Sequence, residues 1–373
     1  MPVKNTYSVI NNAFGECNKG GTAVKQKWNW RRAGLGMALA LLLLVGATVP
    51  ALAQAADPAQ DGGLLGVYDN AGERLLIRER GGRLELVYDT MEDRDVWFAG
   101  YSTYPLRTAG DSFRALAYSP LRRDAAGVSF ERDMAGRGRI LRIGGKEYRR
   151  HFFDFEEGRT FRIKALLGED ELRRRALAAV PPAESGDFRQ PDLVEVTRLD
   201  PTIKLDIRYA TTNNFMGIRL YDEARAFLQR PAAEAVARVH ARLRQYGYGL
   251  IIHDAYRPWY VTKMFWDATP EQQKVFVADP SKGSRHNRGG AVDISLYSLE
   301  TGVAVDMGSD YDEFSIRAYP TYPGGTSAQR ERRELLRLLM AGEGFTIYPE
   351  EWWHFDYTGW RHYPILNLRF SEL

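Results

Sequence analysis

Ser284-Arg285-His286-Asn287-Arg288-Gly289-Gly290-Ala291-Val292-Asp293 sets a histidine in a Gly-bounded loop and runs on into a strand. From Ala291 to Leu296, Val292, Ile294 and Leu296 alternate with Asp293 and Ser295, so the polar face of that strand offers Asp293. Downstream, Glu350-Glu351-Trp352-Trp353-His354 follows a turn containing Pro349. Zinc takes neutral imidazole and carboxylate readily, and a hydrolytic zinc site uses three protein ligands and leaves one position for water. His286, Asp293 and His354 supply that number. Residues three apart in a plain strand face opposite sides, so the spacing predicts Glu351 in the turn ahead of His354's strand. From there its carboxylate reaches the water as a general base. Each motif alone is weak, because an isolated histidine near a strand is more often a packed or surface residue. Their combination in one chain favours a metal site.

A third motif, His253-Asp254-Ala255-Tyr256-Arg257-Pro258, follows the short apolar run Leu250-Ile251-Ile252, a candidate buried strand. Pro258 holds Arg257 in extended geometry. Spacing leaves Arg257 two roles: a charged donor to the oxyanion of a tetrahedral intermediate, or a structural arginine satisfying loop carbonyls. Around these motifs the texture is mixed α and β. Residues 169–180 read as a helix, followed by a linker at Val180-Pro181-Pro182-Ala183-Glu184-Ser185-Gly186. Pro231 opens a helix with Val236, Val239, Leu243 and Tyr246 on one side, closed by Gly247. Thr269-Pro270 is an N-cap and first-turn pair for a second helix, and a third starts near Thr326-Ser327. His240 and His151 read as packing or surface residues, and Trp352, Trp353, Trp360 and Tyr363 as core and pocket wall.

Upstream, from about 62 to 165, short apolar runs alternate with turns: Gly66-Val67-Tyr68, Asp69-Asn70-Ala71-Gly72, Leu75-Leu76-Ile77, Gly81-Gly82, Leu84-Glu85-Leu86-Val87-Tyr88, and later Ile140-Leu141-Arg142-Ile143 before Gly144-Gly145. This predicts hairpins of a small antiparallel sheet or barrel. With no ligand-spaced cluster of His or acids, the region is expected to be a packing or wall-targeting module.

Further upstream, the apolar run 33–49 follows Lys25, Lys27, Arg31 and Arg32 and leads into Ala51-Leu52-Ala53 and Ala53-Gln54-Ala55. The pattern predicts a cleaved signal peptide over residues 1–55 and a periplasmic or secreted protein that meets the membrane only through that leader; the alternative is an uncleaved anchor. Six of the Lys/Arg lie in residues 1–53 against the single acid Glu16, so the formal net charge of +3 comes from the leader and leaves no basic surface for nucleic acid. The sole cysteine, Cys17, lies before the apolar run. The mature chain would lack cysteine, which excludes disulfides and thiolate ligands and leaves a metal to His and carboxylate.

Residues 195–370 resemble the D-alanyl-D-alanine dipeptidases of vancomycin resistance and cell-wall dipeptide recycling, within the zinc DD-peptidase superfamily. Five ordered motifs carry the resemblance: Tyr209 to Gly217, Asp254 to Pro258, Ser284 to Asp293, Met307-Gly308-Ser309-Asp310-Tyr311-Asp312, and Glu351 to His354. It implies an α+β catalytic domain, an antiparallel sheet with helices, over 195–373; the residue pattern itself places a small β-rich domain at 62–168 before it, joined by a helix and linker at 169–194. By resemblance His286, Asp293 and His354 hold one zinc per chain, Glu351 is the acid/base and Arg257 stabilises the transition state. Asp312 matches the acid that receives the substrate's amino group, Ser284 lies where the family handles the carboxylate, and Tyr209 is a further substrate-binding position. Arg285 departs from the small serine of the vancomycin-resistance enzyme, so the carboxylate side of the pocket is expected to differ. The expected substrate is a D-amino-acid dipeptide. The alternatives are a DD- or LD-carboxypeptidase acting on peptidoglycan stem peptides at the same site, and a non-catalytic cell-wall-binding protein.

Overall fold

Two hairpin turns show how the amino-terminal half closes on itself. Strands β1 (Gly66–Asn70) and β2 (Glu73–Glu79) are joined through Ala71 and Gly72, at φ 46° and 95°. Two residues at positive φ form the tight turn whose twist matches paired antiparallel strands. Gly144 and Gly145, at φ 58° and 77°, repeat the device between β7 (Gly138–Ile143) and β8 (Lys146–His151). With β3 (Leu84–Asp89), β4 (Tyr101–Ala109), β5 (Ser112–Ala115) and β6 (Ala126–Arg132), these strands form a closed eight-stranded antiparallel barrel, sealed by β1 pairing with β8. Leu75, Ile77, Leu86, Leu106, Phe113, Val128 and Leu141 fill its interior. The computed structural model describes residues 58–89, 101–109, 112–115, 126–159 and 161–373, and the leader lies outside them.

The opposite face of the first strands is covered as well. Val67, Leu76 and Val87 pack with Phe153, Tyr322, Ile316 and Tyr319, which explains why Leu75-Leu76-Ile77 is apolar without alternation. Arg78 of β2 donates to the Pro323 carbonyl at 3.3 Å, and Glu79 accepts from the Ser327 amide at 2.6 Å. The described residues form one compact unit.

The carboxy-terminal half is built on a five-stranded sheet of β10 (Lys204–Leu205), β12 (Tyr248–Asp254), β13 (Ala291–Ser298), β15 (Glu351–Tyr357) and β14 (Phe345–Tyr348), in that order. Only the β10–β12 pair is parallel. A two-stranded ladder of β9 (Leu193–Glu195) and β11 (Phe227–Gln229) lies apart from it. After the opening turn α1 (Pro58–Asp61), the helices are α2 (Glu169–Ala178), α3 (Val196–Leu199), α4 (Arg230–Leu243), α5 (Trp259–Ala268) and α6 (Ser327–Gly342). Helix α4 carries Pro231 in its first turn and ends near Gly247 at φ 80°. Thr326 caps α6 through a capping box with Gln329.

Two local expectations are corrected. The second long helix is α5, which ends at Ala268; its Thr269 hydroxyl donates back to the Phe265 carbonyl at 2.7 Å. Thr269-Pro270 therefore leads only into a six-residue 3-10 turn, Glu271–Phe276. Glu351 is the first residue of β15 rather than part of a preceding turn. The β14–β15 register jumps from Ile347↔Phe355 to Tyr348↔Glu351, and this bulge replaces simple alternation at Trp352–His354.

Candidate active site

Three adjacent strands set the frame. In register, Asp254 of β12 lies opposite Asp293 of β13, and Asp293 lies opposite His354 of β15. His286 comes from the 3-10 turn His286–Arg288, closed by Gly289 at φ 64°. A Cβ at Gly289 would sit 2.6 Å from Leu193, and one at Gly290 only 2.4 Å from Trp360, so both glycines are needed for the turn to dock.

His286 Nε2 lies 3.2 Å from His354 Nδ1 and 3.5 Å from Asp293 Oδ1, and His354 Nδ1 is 3.0 Å from the same oxygen. The far side of each group is already engaged. His286 Nδ1 is 2.7 Å from the Ala255 carbonyl and His354 Nε2 is 3.0 Å from Asp356 Oδ1, so these nitrogens carry the ring protons. Tyr311 donates its hydroxyl to Asp293 Oδ2 at 3.0 Å. Asp293 Oδ1 is buried without a hydrogen-bond donor. With both imidazoles neutral, as metal ligands are, three lone pairs face one another across about a hydrogen bond's length. That arrangement repels itself unless a cation sits among them, and the outer partners are those that orient metal ligands. Among the described residues, these three form the His/Asp cluster able to hold a metal.

Around the cluster lies a cavity of about 520 Å³. Glu351 Oε2 is 3.7 Å from His354 Nδ1 despite the three-residue spacing, because the bulge turns both to one side. Loss of hydration, with the charge of Asp293 adding to it and His354 opposing it, pushes the Glu351 carboxyl up to about 7. Arg257 is anchored through Nε and Nη2 to Asp254 Oδ2 at 3.0 and 2.7 Å, and its guanidinium lies over the Phe265 and Tyr209 rings. Asp254 is in turn held by the Tyr221 hydroxyl at 2.6 Å. Asp312, at φ 59°, accepts from the Tyr209 hydroxyl at 2.7 Å. Burial first, then the nearby Asp293 charge, raises the Asp312 carboxyl well above its ordinary value, the signature of an acid short of a cation. Ser284 lines the cavity, but its hydroxyl accepts from the His286 amide at 3.2 Å and so also shapes the turn. Arg285 lies across the mouth, 3.2 Å from Asp356 and stacked between Tyr348 and Trp360.

Every site residue named from sequence lines this one cavity: Tyr209, Arg257, Ser284, His286, Asp293, Asp312, Glu351 and His354. Sequence reasoning missed the supports. Asp356 shares a strand face with His354 two residues earlier, and that spacing could have flagged it. Tyr311 and the His253 ring stacked on it at 4.6 Å had no local signal, because their roles arise from a contact between β12 and a distant loop. Ser295 and Asp206 flank His253, at 2.8 and 3.3 Å.

The profile of the family described as D-ala-D-ala dipeptidase, Peptidase_M15, matches residues 189–372. The D-alanyl-D-alanine dipeptidase of Escherichia coli (strain K12) is 36% identical over 180 residues, which is 48% of this chain and 92% of that protein. The chain belongs to the D-alanyl-D-alanine dipeptidase family. As a member it is a metallopeptidase of the dipeptidase type. Its likeness to the D-alanyl-D-alanine dipeptidases of Enterococcus faecalis (33% over 190 residues, 45% of this chain and 92% of the relative) and Enterococcus faecium (32% over 174 residues, 41% and 85%) falls within the same range. The family match starts at residue 189, beyond the barrel strands β1–β8.

Proposed function

We propose that the protein hydrolyses free D-alanyl-D-alanine to two D-alanines, using one zinc ion held by His286, Asp293 and His354, in an exported compartment. The observation that carries this reading is the convergence of three atoms able to ligate a metal, 3.0 to 3.5 Å apart, in one cavity with Glu351, Arg257 and Asp312. Tetrahedral zinc bonds of about 2.0–2.1 Å would separate ligand atoms by roughly 3.3–3.4 Å, which suits that spacing. Zinc in that cradle would supply Lewis-acid polarisation of the scissile carbonyl and a lowered pKa for a water molecule.

The chain's own residues do the rest. Glu351 takes a proton from the attacking water and delivers it to the leaving amine, a task suited to a carboxyl raised to about 7. Arg257, fixed by Asp254, donates to the oxygen that gains charge. Asp312 receives the substrate ammonium, which would be costly to desolvate unpaired. Ser284 and Arg285 stand at the carboxylate end. Hydrolysis belongs to residues 195–373, and the β-rich stretch 62–168 takes no part in the chemistry. Export rests on the leader and its two small-residue cleavage sites, and amino-terminal sequencing of secreted protein would check it.

Product analysis tests the reading. Free D-Ala-D-Ala should be cleaved, while its N-acetylated form and a stem pentapeptide should be poor substrates. Asp312→Ala should raise KM for the free dipeptide ten- to a hundredfold, as expected for loss of a charged contact of about 1.5–3 kcal/mol. Equal cleavage of blocked peptides or pentapeptide by wild type would replace the dipeptidase with a carboxypeptidase.

A further inference from the structure

The cavity is larger than two alanine residues require, and part of its lining is aromatic. Its volume of about 520 Å³ falls among cavities that enclose drug-sized ligands, roughly 300–1,000 Å³. Phe314, two residues after Asp312, lines the cavity together with Phe276 at 4.7 Å and Phe215 at 5.1 Å, and Phe161 backs Phe314 at 5.0 Å. Phe276 is 46% exposed at the rim, and Val277 continues the same wall. Ser284, Arg285 and Glu350 add polar and charged groups to the lining.

Resting on the dipeptidase reading, two anchors orient a bound dipeptide. Its ammonium meets Asp312, and its scissile carbonyl faces Arg257. Both anchors back onto the same rings: Tyr209 holds Asp312 through its hydroxyl, and Arg257 lies over Tyr209 and Phe265. Phe215, Phe276, Phe314 and Val277 line the same cavity as those two anchors and offer an apolar wall to the side chain on the α-carbon between ammonium and carbonyl. A methyl group there would leave much of that wall wet, whereas a larger apolar group would cover it.

We propose that the site is a subsite for a bulky apolar side chain on the amino-terminal residue, so that the substrate class extends to dipeptides such as D-Leu-D-Ala and D-Phe-D-Ala. The reaction is unchanged: one water is consumed, the peptide C–N bond breaks, and D-leucine or D-phenylalanine leaves with D-alanine.

The test uses the zinc-loaded full chain and measures kcat/KM for D-Ala-D-Ala, D-Leu-D-Ala, D-Phe-D-Ala and D-Ala-D-Leu. D-Leu-D-Ala should match or exceed D-Ala-D-Ala, by up to about tenfold or more for the added methylenes. Phe314→Ala and Phe276→Ala should each lower kcat/KM for D-Leu-D-Ala several-fold more than for D-Ala-D-Ala, a ratio that a general loss of folded protein would not move. If D-Leu-D-Ala falls below a tenth of D-Ala-D-Ala, or if D-Ala-D-Leu gains instead, the subsite assignment is overturned and the dipeptidase reading stands. If no dipeptide is cleaved, both fail.

Discussion

The barrel and the five-stranded sheet bury polar groups in opposite ways. In the barrel, Arg78 and Glu85 are both buried, but they face each other across β2 and β3 at 2.7 Å. Arg142 pairs near the surface with Glu131 and Glu147, and Lys146 with Glu73, while Arg150, its side chain 6% exposed, pairs with Glu156. In the sheet and the turn beside it, Asp254, Asp293, His354 and His286 are buried together, and one carboxylate oxygen is left without a donor. Where buried hydrogen bonding closes on itself the groups hold structure; where lone pairs converge unanswered, a ligand is implied.

That contrast can be broken at several points. Arg257→Lys should have the largest effect, lowering kcat by about two orders of magnitude while the metal stays bound, because an ammonium cannot keep both the bond to Asp254 and the donor geometry. Steady-state kinetics with metal analysis decides it, and near-normal kcat would return Arg257 to the structural role that spacing left open. Tyr311→Phe comes next. It removes only the hydroxyl that orients Asp293 Oδ2, and metal affinity should weaken by about ten- to a hundredfold in a competition titration with a chelator. An unchanged affinity would mean that the strand alone positions Asp293.

Arg78→Ala should have the smallest effect on turnover. It strands Glu85 and should cost about 3–5 kcal/mol of stability by denaturant titration, with kcat per folded molecule within about twofold of wild type. A large fall in kcat would mean that the barrel contacts, which reach Pro323 and Ser327 beside the pocket wall, set the site and do not merely support the fold.

Much of this was legible in the sequence, for local reasons. Gly144-Gly145 and the Thr326 capping box announce themselves within four residues, and the motifs of His286, Asp293 and His354, each weak alone, point to a metal site in combination. What stayed hidden depended on distance or on uniform burial. Helix α5 buries Trp259, Tyr260, Val261, Met264 and Phe265, so it lacks the clean amphipathic period that reveals a surface helix, and its closing Thr269 looked like an opening cap. The turn assignment for Glu351 failed because period-two reasoning assumes an unbroken ladder, and β14–β15 is broken there. The stack of His253 on Tyr311 joins residues 58 positions apart and leaves no local pattern.

The central claim is that His286, Asp293 and His354 hold the metal while Glu351 moves the proton. Zinc content and D-Ala-D-Ala turnover measured together on wild type, His354→Ala and Glu351→Ala test it most directly. Wild type should hold about one zinc per chain and be active, His354→Ala should have neither zinc nor activity, and Glu351→Ala should hold zinc without activity. Full zinc in His354→Ala, or loss of zinc in Glu351→Ala, would contradict it.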